Sequence, residues 1–228
     1  MPLINVTRYI PVTYTQNQKQ VWFSRYLTPP VRDLLDAGPA AKRMLRRPRA
    51  AYACILFTDI RGFTELSRTI QPDALFGTLD RHVGPQSELV TYYGGYVDNF
   101  TGDGVMAVFE GEGVEDNACR CAIEVAEMAE SQARHGVDGH VPVGVGLHIG
   151  DVAMGSVGCQ SRSTYTAVGQ TVNVAARLCD RASGPEVLTT QTMLNAVNDG
   201  SGMLFETYAD DAPPGVDDSL GLYRLRRG

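Results

Sequence analysis

Two aspartates in this 228-residue chain stand where carboxylates are costly. Asp59 follows the apolar, β-rich run 52–57, and Asp103 sits in Gly102-Asp103-Gly104 between two further apolar runs. A carboxylate that closes a buried strand must stay solvated or bind a cation. If the two strands are neighbours, both carboxylates reach one point. Hard divalent ions such as Mg²⁺ or Mn²⁺ take such oxygens and leave positions open for phosphate. Two ions held there can activate an attacking oxygen and neutralise a leaving group. Each aspartate also has a plainer reading alone, Asp59 as a helix N-cap and Asp103 as a turn residue. Together they favour a metal site.

Two further segments carry chemistry. After Asp59 come Ile60, Arg61, Gly62, Phe63 and Thr64. Gly62 lets backbone approach a ligand, and free N–H groups at a helix start suit phosphate oxygens. The second segment runs from Gly169 to Arg177. On a helix, Asn173 and Arg177 are four apart and share a face. Asn offers a donor to a ribose or transition-state oxygen, and Arg offers a fork for phosphate. The plainer alternative is an exposed pair on a surface helix. Val172, Ala175, Ala176 and Cys179 form a separate stripe that can pack on a sheet. His148 lies in a Gly-rich strand and reads as a packed structural histidine rather than a general base.

The elements that must position these residues follow from periodicity and breakers. Residues 52–57 read as a strand. Residues 64–90 read as helical, interrupted near Pro72, and Gly94-Gly95 punctuates the chain. Residues 96–101 and 105–109 flank a turn at 102–104, a hairpin signal. Residues 114–134 repeat apolar positions at helical spacing. Residues 141–152 and 163–168 are strands, 170–181 a helix and 186–190 a short strand. An acidic, Pro-containing loop at 210–218 precedes an edge strand at 222–225. This order predicts an α+β fold, a mostly antiparallel sheet with helices packed on it. Residues 1–50 read as an extension and linker, with an apolar cluster at Trp22, Phe23, Tyr26 and Leu27. A basic stretch follows at Lys42, Arg43, Arg46, Arg47 and Arg49. Residues 51–228 form the main domain.

Composition removes several function classes. Apolar residues make up 43% and charged residues 20%, which suits a real core rather than a disordered chain. A net charge of −6 argues against a nucleic-acid binder, but not against a nucleotide whose phosphates are neutralised by metal. No apolar run is long enough to span a bilayer, and no signal peptide opens the sequence. Five cysteines without paired spacing suggest reduced thiols in a cytoplasmic protein. Cys119 and Cys121, as C-x-C within a helical pattern, are poor metal ligands. Lys19 and Lys42 are the only lysines, so cationic work after residue 42 falls to arginine or metal.

These segments together resemble the catalytic domain of class III nucleotidyl cyclases, the adenylate and guanylate cyclase family. The matching text is Phe57-x-Asp59-Ile60-x-Gly62-Phe63-Thr64, then Gly102-Asp103-Gly104-x-Met106-Ala107-x-Phe109. Further on come Gly146-x-His148-x-Gly150, Gly155-x-Val157-Gly158, and Tyr165-Thr166-x-x-Gly169-x-Thr171-Val172-Asn173-x-Ala175-x-Arg177. Residues 25–29 resemble the segment leading into many bacterial cyclase domains. The resemblance implies a ferredoxin-like βαββαβ core and a head-to-tail homodimer with shared sites. One chain supplies Asp59, the Ile60 carbonyl and Asp103 to two divalent ions, Mn²⁺ or Mg²⁺. The other supplies Asn173 and Arg177 to the transition state of nucleoside triphosphate cyclisation. Phe57, Gly62, Phe63 and Thr64 fall in the substrate-binding segment. With every metal and transition-state residue present, an active enzyme is expected.

The departures fall on the base. Four residues before Asp103 the family carries lysine in adenylate cyclases and glutamate in guanylate cyclases; here stands Asn99. Its partner position, usually Asp or Thr in adenylate cyclases and often Cys in guanylate cyclases, holds Thr166, which favours the adenylate reading. The family's triphosphate-binding lysine near the C-terminus has no counterpart. An amide both donates and accepts, so Asn99 permits uracil, cytosine or adenine. Altered base-reading residues and a short, sensor-free chain are similar to the Pycsar anti-phage cyclases, which make cyclic CMP or cyclic UMP. A pyrimidine substrate is therefore expected, uridine slightly ahead. The alternatives are an adenylate cyclase and an inactive nucleotide-binding regulatory domain.

Overall fold

The computed structural model describes residues 26–38, 45, 47–135, 141–159, 161–198, 202–209 and 211–228. The expected contributions of Lys19, Trp22, Phe23, Arg25, Lys42, Arg43 and Arg46 lie outside these residues. Among the described residues the first element is a short helix, α1 (Pro29–Asp36), and the sheet starts at β1 (Arg49–Ile60). Then follow α2 (Phe63–Thr69), α3 (Pro72–Tyr92), β2 (Tyr96–Thr101), β3 (Gly104–Glu110) and α4 (Val114–Arg134). The second half contains β4 (Val143–Cys159), β5 (Arg162–Val168), α5 (Gln170–Arg181), β6 (Glu186–Thr190) and α6 (Gln191–Ala196). It closes with β7 (Met203–Thr207), a 3₁₀ turn at Asp218–Leu220 and β8 (Leu222–Arg227).

The sheet order is β2-β3-β1-β4-β6-β8-β7, with β5 paired to β4. The first four strands are antiparallel to their neighbours, and their order is that of a βαββαβ ferredoxin-like core. Among the described residues, only β4 and β6 pair in parallel. This is the expected α+β architecture. The tail differs from expectation: β8 is paired on both edges, to β6 and β7. The outer strand is β7, in a stretch whose sequence gave no strand signal. Likewise β4 runs on to Cys159, because β5 pairs with it from Ala153 to Cys159 and compensates for its glycines.

Two cores lie on opposite faces. One joins Leu56, Phe109, Val145 and Leu147 to the buried face of α4, including Ala118, Cys121, Ala122 and Val125. The other gathers Ile55, Tyr96, Met106, Val108, Tyr165 and Ala167, with Val31 and Leu45 packed against it. Alternation along β1 sends Cys54 and Leu56 to one core and Ala53 and Ile55 to the other. Cys119 and Cys121 are both buried, and all five cysteines are free thiols. Burial pushes the Cys121 thiol up to about 12.

Helix α5 seals a third, smaller cluster through Val174 and Leu178, against Leu188 and Leu222. Its buried residues are Thr171, Val174, Ala175, Leu178 and Cys179. The expected packing stripe is thus corrected: Val172 and Ala176 sit at its margin, and larger Val174 and Leu178 form its centre. The helix lies so close to β4 that a Cβ on Gly146 would come within 2.2 Å of the Ala175 carbonyl oxygen and the Cys179 nitrogen. His148 is buried on β4, and its Nδ1 hydrogen-bonds with Thr190 Oγ1 at 2.9 Å. Loss of solvation lowers its pKa to about 4, so it stays neutral and structural.

Candidate active site

Backbone packing brings Asp59 and Asp103 together. Asp59 is the penultimate residue of β1, and Asp103 lies in the two-residue turn between β2 and β3. The turn uses Gly102, with φ of 75°, while Asp103 itself has negative φ. Gly104 then passes so close to β1 that an added Cβ would sit 1.8 Å from the Thr58 carbonyl oxygen and 3.3 Å from Asp59 Cα. The Val105 N–H donates to Thr58 Oγ1 at 2.9 Å and fixes the same approach. Partial burial raises the pKa of Asp59, and Asp180 adds to the shift while Arg61 opposes it. Burial likewise raises Asp103, with the charge of Asp59 as the next cause. Two partly buried carboxylates that repel one another are a fit environment for cations. Among the described residues, no cluster of three acidic, His or Cys side chains forms a metal centre. Ile60 follows Asp59 directly and ends β1.

Arg61 had no assigned role in the sequence. Its Nη1 lies 3.1 Å from Asp59 Oδ2, and its Nη2 donates to the Cys179 carbonyl at 2.5 Å. It thereby ties the carboxylate to the end of α5. Glycines at 144 and 184 leave the room it occupies. Next in the chain, Gly62 is the N-cap of α2 with φ of 77°, a left-handed conformation that favours glycine. Phe63 packs against the first core, whereas Thr64 is exposed. Phe57 packs against the second core.

Asn173 is exposed and Arg177 half-buried on α5. Among the described residues, no hydrogen bond or ion pair joins either to Asp59 or Asp103. The Arg177 guanidinium lies against Gly215, where an added Cβ would fall 1.7 Å from Nη1. The loop before β8 therefore shapes the setting of this arginine.

At the positions expected to read the base, β2 carries a bulge between Val97 and Asn99. Asn99 pairs with Met106 and is exposed; Asp98, the extra residue, is buried. Thr166 Oγ1 donates to Asp98 Oδ2 at 2.5 Å, so Asp98 links the strand of Asn99 to that of Thr166. Asp98 was missed in the sequence, although a carboxylate inside an apolar strand is the same signal that marked Asp59. Asp98 and Asn99 line a cleft of about 580 Å³ together with Phe100, Thr164, Tyr165 and residues of α1.

A βαββαβ core whose first strand and central hairpin present paired aspartates defines the class of a nucleotidyl cyclase domain. The profile of the "Adenylate and Guanylate cyclase catalytic domain" family matches residues 45–211, and the chain belongs to that family. It is 28% identical to an adenylate cyclase of Anabaena cylindrica, over 84% of this chain and 38% of that protein. It is 36% identical to adenylate cyclase 1 of Rhizobium meliloti (strain 1021), over 54% of this chain and 20% of that protein. The chain thus spans well under half the length of these curated relatives. Among solved structures, the P. aeruginosa adenylyl cyclase CyaB superposes with TM-score 0.70 at 24% identity, over 78% of this chain and 95% of that one. The guanylyl cyclase Cya2 gives 0.66 at 25% identity, over 80% and 95%.

Proposed function

We propose that the chain converts a nucleoside triphosphate to a 3′,5′-cyclic nucleotide and pyrophosphate. The 3′-hydroxyl attacks the α-phosphorus, the bond to the bridging oxygen breaks, and pyrophosphate leaves with that electron pair. The observation that carries this reading is the packing of the Gly104 hairpin on Thr58 and Asp59, which brings the turn of Asp103 against the end of β1, where burial and then the charge of Asp59 raise the Asp103 carboxyl. Asp59, Asp103 and the Ile60 carbonyl would hold two divalent ions, Mg²⁺ or Mn²⁺. Those ions supply charge neutralisation for the attacking and leaving oxygens. Arg61 orients Asp59. The backbone at Gly62, Phe63 and Thr64, with Phe57 nearby, borders the phosphates. Asn173 and Arg177 come from a second copy of the chain and stabilise charge on the transferring phosphoryl group. Residues 51–228 make up the catalytic unit, and residues 1–50 precede it as an extension.

Asn99 replaces the lysine or glutamate that reads purines in the family, and its amide can pair with a pyrimidine. This supports CTP or UTP as substrate, and with it a signalling role of the anti-phage type. A second reading, ATP, is supported by the adenylate cyclases among the relatives. Incubation with each of the four ribonucleoside triphosphates and Mn²⁺, with products identified by mass, separates these. Cyclic CMP or cyclic UMP supports the pyrimidine reading, and cyclic AMP alone refutes it. Absence of any cyclic product refutes the cyclase reading itself. The anti-phage role fails if Asp59→Ala leaves phage plating on expressing cells unchanged.

A further inference from the structure

Asp98 is 6% exposed and lies in the bulge of β2, one residue before Asn99. Its Oδ2 accepts the Thr166 hydroxyl at 2.5 Å, and its buried Oδ1 has no hydrogen-bond partner. A threonine hydroxyl has one hydrogen and two lone pairs, and an ionised carboxylate only accepts. The other acceptor within reach of that hydrogen, the Ala167 carbonyl, is neutral and 3.4 Å away. The hydrogen of Thr166 is therefore committed to Asp98, and its lone pairs are what remains for a ligand. Burial pushes the Asp98 carboxyl up to about 6, while the Thr166 hydroxyl and the Ala167 amide pull it back. At neutral pH it is still mostly ionised, which keeps this polarity.

Resting on the cyclase reading above, we infer that Asp98 is a positioning residue that holds Thr166 as a hydrogen-bond acceptor, selecting a base with an exocyclic amino group. Cytosine and adenine carry such a group and donate to Thr166. Uracil and guanine present a carbonyl oxygen at the equivalent edge and meet a lone pair. Asn99 tolerates either polarity and does not impose this choice. Within the pyrimidine reading the substrate is then CTP rather than UTP, against the slight preference for uridine that Asn99 alone suggested.

The test measures kcat and KM for ATP, CTP, GTP and UTP with Mn²⁺ at pH 7.5, for the full chain and for Asp98→Ala, Asp98→Asn and Thr166→Val. The expected result is a preference of ~10-fold or more in kcat/KM for an amino-bearing base over its carbonyl counterpart, CTP over UTP or ATP over GTP. In Asp98→Ala the hydroxyl is free to turn, so that preference falls to within about threefold, mainly through KM. Thr166→Val loses it as well. Asp98→Asn, whose carbonyl accepts the same hydroxyl, retains it, and this variant carries the test if Asp98→Ala does not fold. Preference for UTP or GTP in the unaltered chain overturns the inference. So does an Asp98→Ala protein equally impaired on all four substrates with its preference intact, since a mere link between β2 and β5 behaves that way. No cyclic product from any triphosphate overturns the cyclase reading and this inference together.

Discussion

Asp59 and Asp103 are held close by contacts that neither side chain makes. The Gly104 backbone against Thr58, and the Thr58 hydroxyl on the Val105 amide, set their spacing. Replacing one carboxylate should therefore remove chemistry without removing the fold. Asp59→Ala is expected to lose turnover while its thermal midpoint stays equal or rises, because a repulsion is relieved. Full activity in that variant refutes the metal assignment. Two other buried groups titrate in opposite senses. Burial raises Asp98 to about 6, so its contribution to stability is complete below pH 4 and lost as pH rises through 6. Burial lowers His148 to about 4, so stability is lost as pH falls from 6.5 through 4. Each effect is on the order of 2–3 kcal/mol, and the two largely cancel. Asp59 and Asp103, also raised by burial, add to the trend of Asp98. Denaturant titrations between pH 4 and 6.5 should therefore place the slope of the unaltered chain between those of two variants: acidification stabilises His148→Gln more than the unaltered chain and Asp98→Asn less; both variants shifted to the same side of the unaltered chain refute the pairing.

At the scale of elements, α5 is the piece that couples fold to site. It buries Val174 and Leu178, presents Asn173 and Arg177, and accepts from Arg61 at the Cys179 carbonyl. Its distance from β4 is set by Gly146. Gly146→Ala adds a methyl 2.2 Å from backbone atoms of Ala175 and Cys179, which no rotamer change relieves. Overpacking of that kind costs about 1–3 kcal/mol. Displacement of Asn173 and Arg177 by ~1 Å costs on the order of 100-fold in rate. A kcat loss well beyond what the shift in thermal midpoint explains is expected; unchanged kcat shows that α5 does not position the site. The limits of α4 and α5 were legible because long amphipathic periods and flanking glycines fix them. Those of β4 were not, since its extension to Cys159 depends on pairing with β5, a tertiary contact that glycine-rich sequence does not announce. The same holds for β7, a five-residue strand whose partner β8 is twenty residues away. At the site, the ordered motifs marked Asp59, Asp103, Asn173 and Arg177. Arg61 and Asp98 escaped because their roles come from partners 118 and 68 residues distant.

At the scale of the whole molecule, the arrangement raises the question of how many chains one site needs. Asn173 is exposed, and Arg177 rests on Gly215 rather than on the aspartate pair. If each site takes Asp59 from one copy and Arg177 from the other in a twofold dimer, the two kinds of defect complement across chains. Asp59→Ala and Arg177→Ala should each be inactive alone, the arginine variant by about 100- to 1000-fold. Mixed in equal amounts and allowed to exchange, half of the dimers carry one chain of each kind. In such a dimer one site holds both substitutions and the other holds neither. Cyclic nucleotide production should then return to roughly a quarter of the unaltered rate. It should also depend on total protein concentration, since dissociated chains have no complete site. Two inactive preparations that stay inactive on mixing, under conditions where tagged chains demonstrably exchange, assign both residues to one chain and refute the shared site.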